Sequence, residues 1–429
     1  MSSSEDSTSF NEYTDRFLAD LRKMRENDPA VTKLVSETDD KDWVFAEQWT
    51  QFGRDVSNSS YLRTLEIYDV LNDYGVAAFF RGLTRSNSLR KFKLASSEYS
   101  LIGVESMLPF LQNASSLECF ELRHNNDGFT SEEFSLIWGA LRDSHIKKLS
   151  LFNCGLRSID IDVTYVPSKL VALNLSCNFI NADGCREVAK LLRMTNTTLE
   201  KLYLGVNDID DEGLSFLVQA LQTNTSLTEM ILHCNDRIGQ EGMKLVLKLL
   251  NDISSIKSTL LSNHTLRRIT FEDNFDYAAY TYTGIEAEIK RVLDINEYHK
   301  NNPDAAARQK VIQTQLSSEI RAGMRRLQGL DDDKKSPLTD LGPLLLPELL
   351  AIVDTHHCVG EFFELFRTCV ADLWTTINRK RVLQQRRDEV SKQMEALVEE
   401  KKELDTEIDL IEQAEVKIEA KSSKRARIA

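Results

Sequence analysis

The chain has 429 residues, 41% of them hydrophobic and 28% charged, with a formal net charge of −14. That composition excludes a wholly disordered or fibrous chain, and the length allows roughly two to four domains around sizeable cores. The acidic balance argues against nucleic acid or an anionic membrane as a partner of the whole chain; the most apolar stretch, Leu341 to Val353, holds Pro343, Pro347 and Glu348 and is too short and polar to span a bilayer.

The first residues, Met1-Ser-Ser-Ser-Glu-Asp, have neither the basic nor the apolar region of a secretion signal. The seven cysteines are odd in number with no C-x-x-C pair, so free thiols in a reducing, intracellular compartment are expected. Residues 1–9 are Ser-rich and read as a disordered tail. Phe10, Tyr13, Phe17, Leu21 and Met24, then Trp43, Trp49, Phe52 and Val56, fall at helical spacing. Residues 10–60 are therefore expected to form a helical N-terminal cap.

From Leu62 a triplet of large apolar residues in the pattern L-x-x-L-x-L recurs eight times. The first is Leu62, Leu65, Ile67 and the last is Leu266, Ile269, Phe271, with first positions 27, 28, 29, 24, 29, 28 and 39 residues apart. Three residues past the last six triplets stand Asn125, Cys154, Asn178, Asn207, Asn235 and Asn274. An Asn or Cys there suits a side chain that turns inward and satisfies backbone groups. Central units continue with Asp183-Gly184, Glu212-Gly213 and Glu241-Gly242 and then a helix-period stretch such as Leu214, Leu217, Val218, Leu221. These residues, over about 43 to 275, resemble the ribonuclease-inhibitor type of leucine-rich repeat, each unit being one short strand and one helix. The resemblance implies an α/β fold: a leucine-rich-repeat solenoid over 61–275, a horseshoe with parallel strands inside and helices outside. Six N-x-S/T sequons occur, and those at Asn196, Asn224 and Asn263 read as the step from helix to next strand. The Ile146 unit, with Leu156, Ile159, Ile161 and Val163, has no clear helix pattern, and the 39-residue unit carries an extra segment, Asn251–Leu261, that reads as more helix or loop.

Beyond Asn274, helix patterns predict a helical C-terminal region over 280–378. Leu383, Val390, Leu397, Leu404, Ile411 and Ile418 are seven apart, whereas only Met394 and Ile408 of five companion positions are apolar. Residues 379–420 are thus expected to form a long coiled-coil helix that pairs with a second copy, pairs with another protein, or folds back. The tail 421–429 is basic, and Lys424, Arg425 and Arg427 fit a short nuclear-import signal. Cytoplasmic localisation, with a nuclear option, is the expectation.

No G-x-S-x-G, G-x-G-x-x-G, Walker or H-E-x-x-H motif occurs. Asp208, Asp210, Glu212 and Gly213 imitate the opening of a calcium loop, but the twelfth position is Gln219. His356-His357-Cys358 lacks a fourth ligand at plausible spacing. No metal, cofactor or catalytic residue is expected. What remains is the strand face. Alternation sends positions three, five and seven of each unit to the concave side, where they number six basic residues and four acids. Tyr68, Lys91, Lys93, Arg123, Lys148, Phe152, Lys201, Tyr203, Ile231, His233 and Arg268 are the candidate protein-binding residues there, because aromatics among charges are interface composition. A non-catalytic scaffold for a protein partner is the function expected. The repeat type also resembles activators of the nuclear-transport GTPase Ran, and that resemblance implies a GTPase-regulating alternative.

Overall fold

Nine short parallel strands form one sheet in strict chain order. They are β1 (Lys33–Ser36), β2 (Thr64–Ile67), β3 (Lys91–Ala95), β4 (Cys119–Arg123), β5 (Lys148–Phe152), β6 (Ala172–Asn174), β7 (Lys201–Tyr203), β8 (Glu229–Ile231) and β9 (Arg268–Thr270). The computed structural model describes residues 6–36, 46–68, 71–95, 97–124, 128–271 and 284–315, with 387, 388, 391, 392 and 402. The chain divides into two units, Met1–Lys334 and Lys335–Ala429, and the sheet belongs to the first.

The sheet forms because the triplets stack. The central triplet residues Leu65, Phe92, Phe120, Leu149, Leu173, Leu202, Met230 and Ile269 sit opposite one another from strand to strand. Every triplet residue from Leu62 to Ile269 is buried. Central and third triplet residues are two apart, so they lie on one face, packed under the helices, while the residues between them face the other side. Just before each strand, one carbonyl accepts two N–H groups from the next unit. The oxygen of Arg63, for example, takes both Arg90 and Lys91, and that of Thr228 both Arg267 and Arg268.

Helices return the chain behind the sheet: α1 (Asp6–Arg25), α2 (Ala46–Asn58), α3 (Asp73–Gly82), α4 (Leu101–Asn113), α5 (Ser131–Ala140), α6 (Ala182–Leu192), α7 (Asp211–Leu221), α8 (Gln240–Leu250) and the short α9 (Ile256–Leu260). As its sequence indicates, the Ile146 unit returns without an α-helix, through a single 3₁₀ turn at Val163–Tyr165. The 39-residue unit spends its extra residues on α9.

After each of the strands β4 to β8 the chain turns through a left-handed residue. His124, Asn153, Cys177, Val206 and Cys234 have φ between 52° and 60°. The next residue plugs inward. Asn207 donates to the carbonyls of Leu175 (3.1 Å) and Leu204 (3.0 Å) and accepts from the Ile180 N–H (3.0 Å), tying its own turn to the one before. Asn178 and Asn235 do the same, and Cys154 fills the place with its thiol against the Leu122 carbonyl. A second ladder runs along the other edge. Asn224 donates to Leu192 O, Asn263 to Leu221 O and Asn296 to Leu266 O, at 2.8, 2.8 and 2.6 Å. Asn196 was expected to belong to this row, yet it is exposed.

Two expectations about the N-terminal end need correction. Helix α1 begins at Asp6, inside the stretch read as disordered. The N-terminal cap is not wholly helical: β1 adds a ninth repeat strand, in register with β2. Val31 and Leu34 fill its first two triplet places, but the third is Ser36, a polar residue that hid the pattern. The C-terminal cap is helical where described, with α10 (Gly284–Tyr298) and α11 (Pro303–Lys310) packed on α8, α9 and one another. The remainder of 280–378, the heptad segment 379–420 apart from a few isolated positions, the basic tail, and His356-His357-Cys358 lie outside the described residues.

Candidate protein-binding face

The open side of the sheet carries the third, fifth and seventh residues of each unit, and their charges are matched in register. Glu66 on β2 is bonded by Lys91 on β3 at 2.8 Å and approached by Lys33 on β1 at 3.5 Å. Burial alone would raise the Glu66 carboxyl, but the Lys91 bond and the charges of Lys91, Lys33 and Lys93 outweigh it and hold the group below its usual range. The bond to Glu66 likewise raises the Lys91 ammonium. Lys93 donates to the Tyr68 hydroxyl at 2.7 Å and lies 4.2 Å from the centre of that ring. On β4, Glu121 pairs with Arg123 beside it and with Lys148 on β5 at 3.5 Å. The Arg123 guanidinium also covers the Phe152 ring at 5.1 Å, and His124 meets the same ring edge-on at 5.6 Å.

A second group lies on β7 to β9. Glu229 receives Lys201 at 3.8 Å and Arg268 at 3.4 Å. Tyr203 stands beside it, its hydroxyl pKa raised by burial and by Glu229. Between the two groups β6 offers only Ala172, Asn174 and Ser176. The face therefore has a strip of small side chains with Phe152 on one flank and Tyr203 on the other. On the Tyr203 side the strip ends at Gly205, where an added Cβ would sit 2.5 Å from the His233 ring. His233 thus lies flat on that glycine.

The eleven candidate residues are not equally available. Tyr68, Lys91, Arg123, Lys148, Phe152, Lys201, Tyr203 and His233 are half-buried and Arg268 is exposed, whereas Lys93 and Ile231 are buried at 9% and 8% exposure. Ile231 ends β8 opposite Tyr203 on β7 and Thr270 on β9, and its burial is a fact alternation does not carry. Lys33, part of the same charge row, was missed because β1 was not recognised; Gly205 has no signal beyond being a glycine at position seven.

Burial raises the Cys119 thiol on this face, and the five described cysteines are free thiols. Among the described residues there is no group of three or more His, Cys, Asp or Glu that could hold a metal ion, and no helix is long and apolar enough to cross a membrane. The calcium-like Asp208–Gly213 stretch is a helix start: Asp210 accepts from the Gly213 N–H at 2.9 Å.

Comparison with known proteins places the repeats. A Leucine Rich repeat family profile matches residues 195–218. Over 171 residues the chain is 30% identical to NACHT, LRR and PYD domains-containing protein 5 of Mus musculus, covering 38% of this chain and 14% of that protein. Over 213 residues it is 27% identical to ribonuclease inhibitor of Mus musculus, covering 48% and 45%. The chain thus spans less than half the length of these curated relatives. Among solved structures, the complex of Rad7 and Elc1 in yeast aligns at 15% identity and a TM-score of 0.33, over 57% of this chain and 63% of that one.

Proposed function

We propose that this chain, whose repeats are similar to those of ribonuclease inhibitor, is a non-catalytic scaffold that grips a protein partner on the open face of its sheet. The observation that carries this reading is the strip of small residues on β6 between Phe152 and Tyr203. A partner side chain entering that strip meets two aromatic walls, and Tyr and Arg are the residues on which interface energy concentrates. The neighbouring charges are already paired within the face, so Arg123 and Tyr68 are held in place before binding and little side-chain entropy remains to be lost. Strands about 4.8 Å apart backed by helices that need 8–10 Å make the strand side the inner, more closely lined one. That two relatives bear the name ribonuclease inhibitor accords with a binding role.

The test is affinity purification from the native cell followed by mass spectrometry. The double variant Lys201→Glu, Tyr203→Glu is expected to fold normally, since both side chains are half-buried on the surface, and to lose the proteins the unaltered chain retains. Undiminished retention removes the face from the proposal. In the same preparation, stimulation of GTP turnover across a panel of small GTPases would favour the Ran-activator-like alternative. For residues 379–420 we propose helix pairing, read from the heptads alone; a sedimentation mass of one chain, 49.0 kDa, would refute self-pairing.

A further inference from the structure

We propose that the edge of the sheet where strands β5 to β9 begin is a second docking surface, separate from the open face, which takes a short acidic segment of another polypeptide in extended form. The edge holds a groove of about 570 Å³. Its charged lining is Lys147, Lys169 and Arg267 against the single acid Glu200, and its remaining polar wall is five serine and threonine side chains. The groove is therefore about +2 on a chain of −14.

The cations there are held by exchangeable ion pairs or, at Lys169, by none. Lys147 and Lys169 are exposed. Lys147 donates to the half-buried Glu118 at 2.9 Å, a carboxylate that also holds Arg90, and Arg267 reaches Glu297 only at 3.7 Å. Among the described residues Lys169 forms no ion pair. Surface pairs of this kind contribute about 0–1 kcal/mol, so an incoming carboxylate displaces them at little cost.

The opposite edge of the same repeats has the other sign. There the strand-to-helix loops and the first helical turns expose Asp183, Asp208, Glu212, Asp236 and Glu241, with Arg186 and Arg237 paired among the acids. The two edges make a polarised molecule, which orients an acidic segment towards the basic groove and away from the rest. A nucleic-acid strand is disfavoured because the groove offers no aromatic side chain on which a base could stack. Five strands at about 4.8 Å separation span about 19 Å, the length of about six extended residues. Thr198, Ser226 and Thr228 already donate their hydroxyls to Leu170 O, Asn224 Oδ1 and Glu200 O, so along that path they can accept from a peptide N–H, while Ser168 and Thr225 complete the polar wall.

The test is fluorescence anisotropy with a labelled oligoglutamate of about six residues, using the full-length chain. Binding is expected at low salt and is expected to weaken steeply as ionic strength rises. The variant Lys147→Glu, Lys169→Glu is expected to bind at least about tenfold more weakly while keeping its thermal midpoint, since both side chains are exposed. The open-face variant Lys201→Glu, Tyr203→Glu is expected to bind the peptide normally, which separates failure of this proposal from failure of the preceding one. Equal affinity of the charge-reversed and unaltered chains overturns it. Tighter binding of an oligothymidylate of matched length overturns it in favour of nucleic acid. Loss of self-association in the reversed variant without any peptide binding overturns it in favour of a second copy's acidic edge.

Discussion

Val206 is a β-branched residue held at φ 56°, in the left-handed region where the Cβ crowds the following carbonyl. What holds it there is the turn itself. Its N–H donates to the His233 carbonyl at 2.7 Å, and the buried Asn207 that follows anchors the turn on both sides. The equivalent positions carry His124, Asn153, Cys177 and Cys234, a mixture with no common chemistry. The sequence therefore advertises the inward asparagine, whose role needs one side chain, and conceals the strained residue before it, whose role is played by the backbone. Val206 is 40% exposed, so replacing it loses little burial. Val206→Asn is expected to stabilise the protein by about 1 kcal/mol, because asparagine tolerates this conformation. A thermal midpoint that stays level or falls would show that the turn is not strained at this residue.

Helices α2 and α3 meet backbone to backbone, and two glycines make that possible. A Cβ on Gly53 would stand 2.1 Å from the Phe79 carbonyl oxygen, and one on Gly82 would stand 2.1 Å from that of Thr50. Around this crossing Phe52, Phe79, Phe80 and Phe92 pack ring to ring, Phe52 and Phe79 at 5.5 Å, and join the N-terminal cap to the repeats. The aromatic spacing of α2 is readable in the sequence, and so is its inward face. The glycine contact is not, since helix propensity treats glycine within a helix as a defect. The two views give opposite signs for Gly82→Ala. Propensity alone predicts a gain of about 1 kcal/mol, whereas overpacking against a carbonyl that cannot move predicts a loss of about 1–3 kcal/mol or more. The structure favours loss, seen as a lowered midpoint in chemical unfolding; a raised midpoint would mean that the helices separate without cost.

A solenoid has two ends, and each must cover a core that further repeats would otherwise cover. At the C-terminal end this falls to α10 and α11, whose last residue, Lys310, is buried with no exposure. Its ammonium group donates to the carbonyls of Leu250 (2.7 Å) and Asn263 (3.1 Å) and to His264 Nδ1 (2.9 Å). Three protons thus meet three acceptors that belong to the edge of the final repeat. Burial, with the charge of Arg291 added, lowers the Lys310 pKa well below its usual value, and burial together with Lys310 pushes His264 down to about 3. Nothing in the letters around Lys310 marks it as buried, because lysine reads as surface until three acceptors are known to surround it.

The consequence for the whole molecule is acid sensitivity of its end cap. His264 stays neutral in the folded state, whereas the unfolded chain takes up a proton below the ordinary imidazole value of 6.5. The unfolded state therefore binds more protons between pH 6.5 and about 3, and stability is complete above that window and lost as pH falls through it. Between pH 7 and pH 5 the loss from this group is about 2 kcal/mol. His264→Gln does not titrate, and its amide oxygen can accept from Lys310 in place of the imidazole. The urea midpoint of the unaltered chain is expected to fall from pH 7 to pH 5 by more than that of His264→Gln, by the equivalent of those 2 kcal/mol. Parallel falls in the two proteins would move the acid response away from the C-terminal cap, to the carboxylates paired along the sheet.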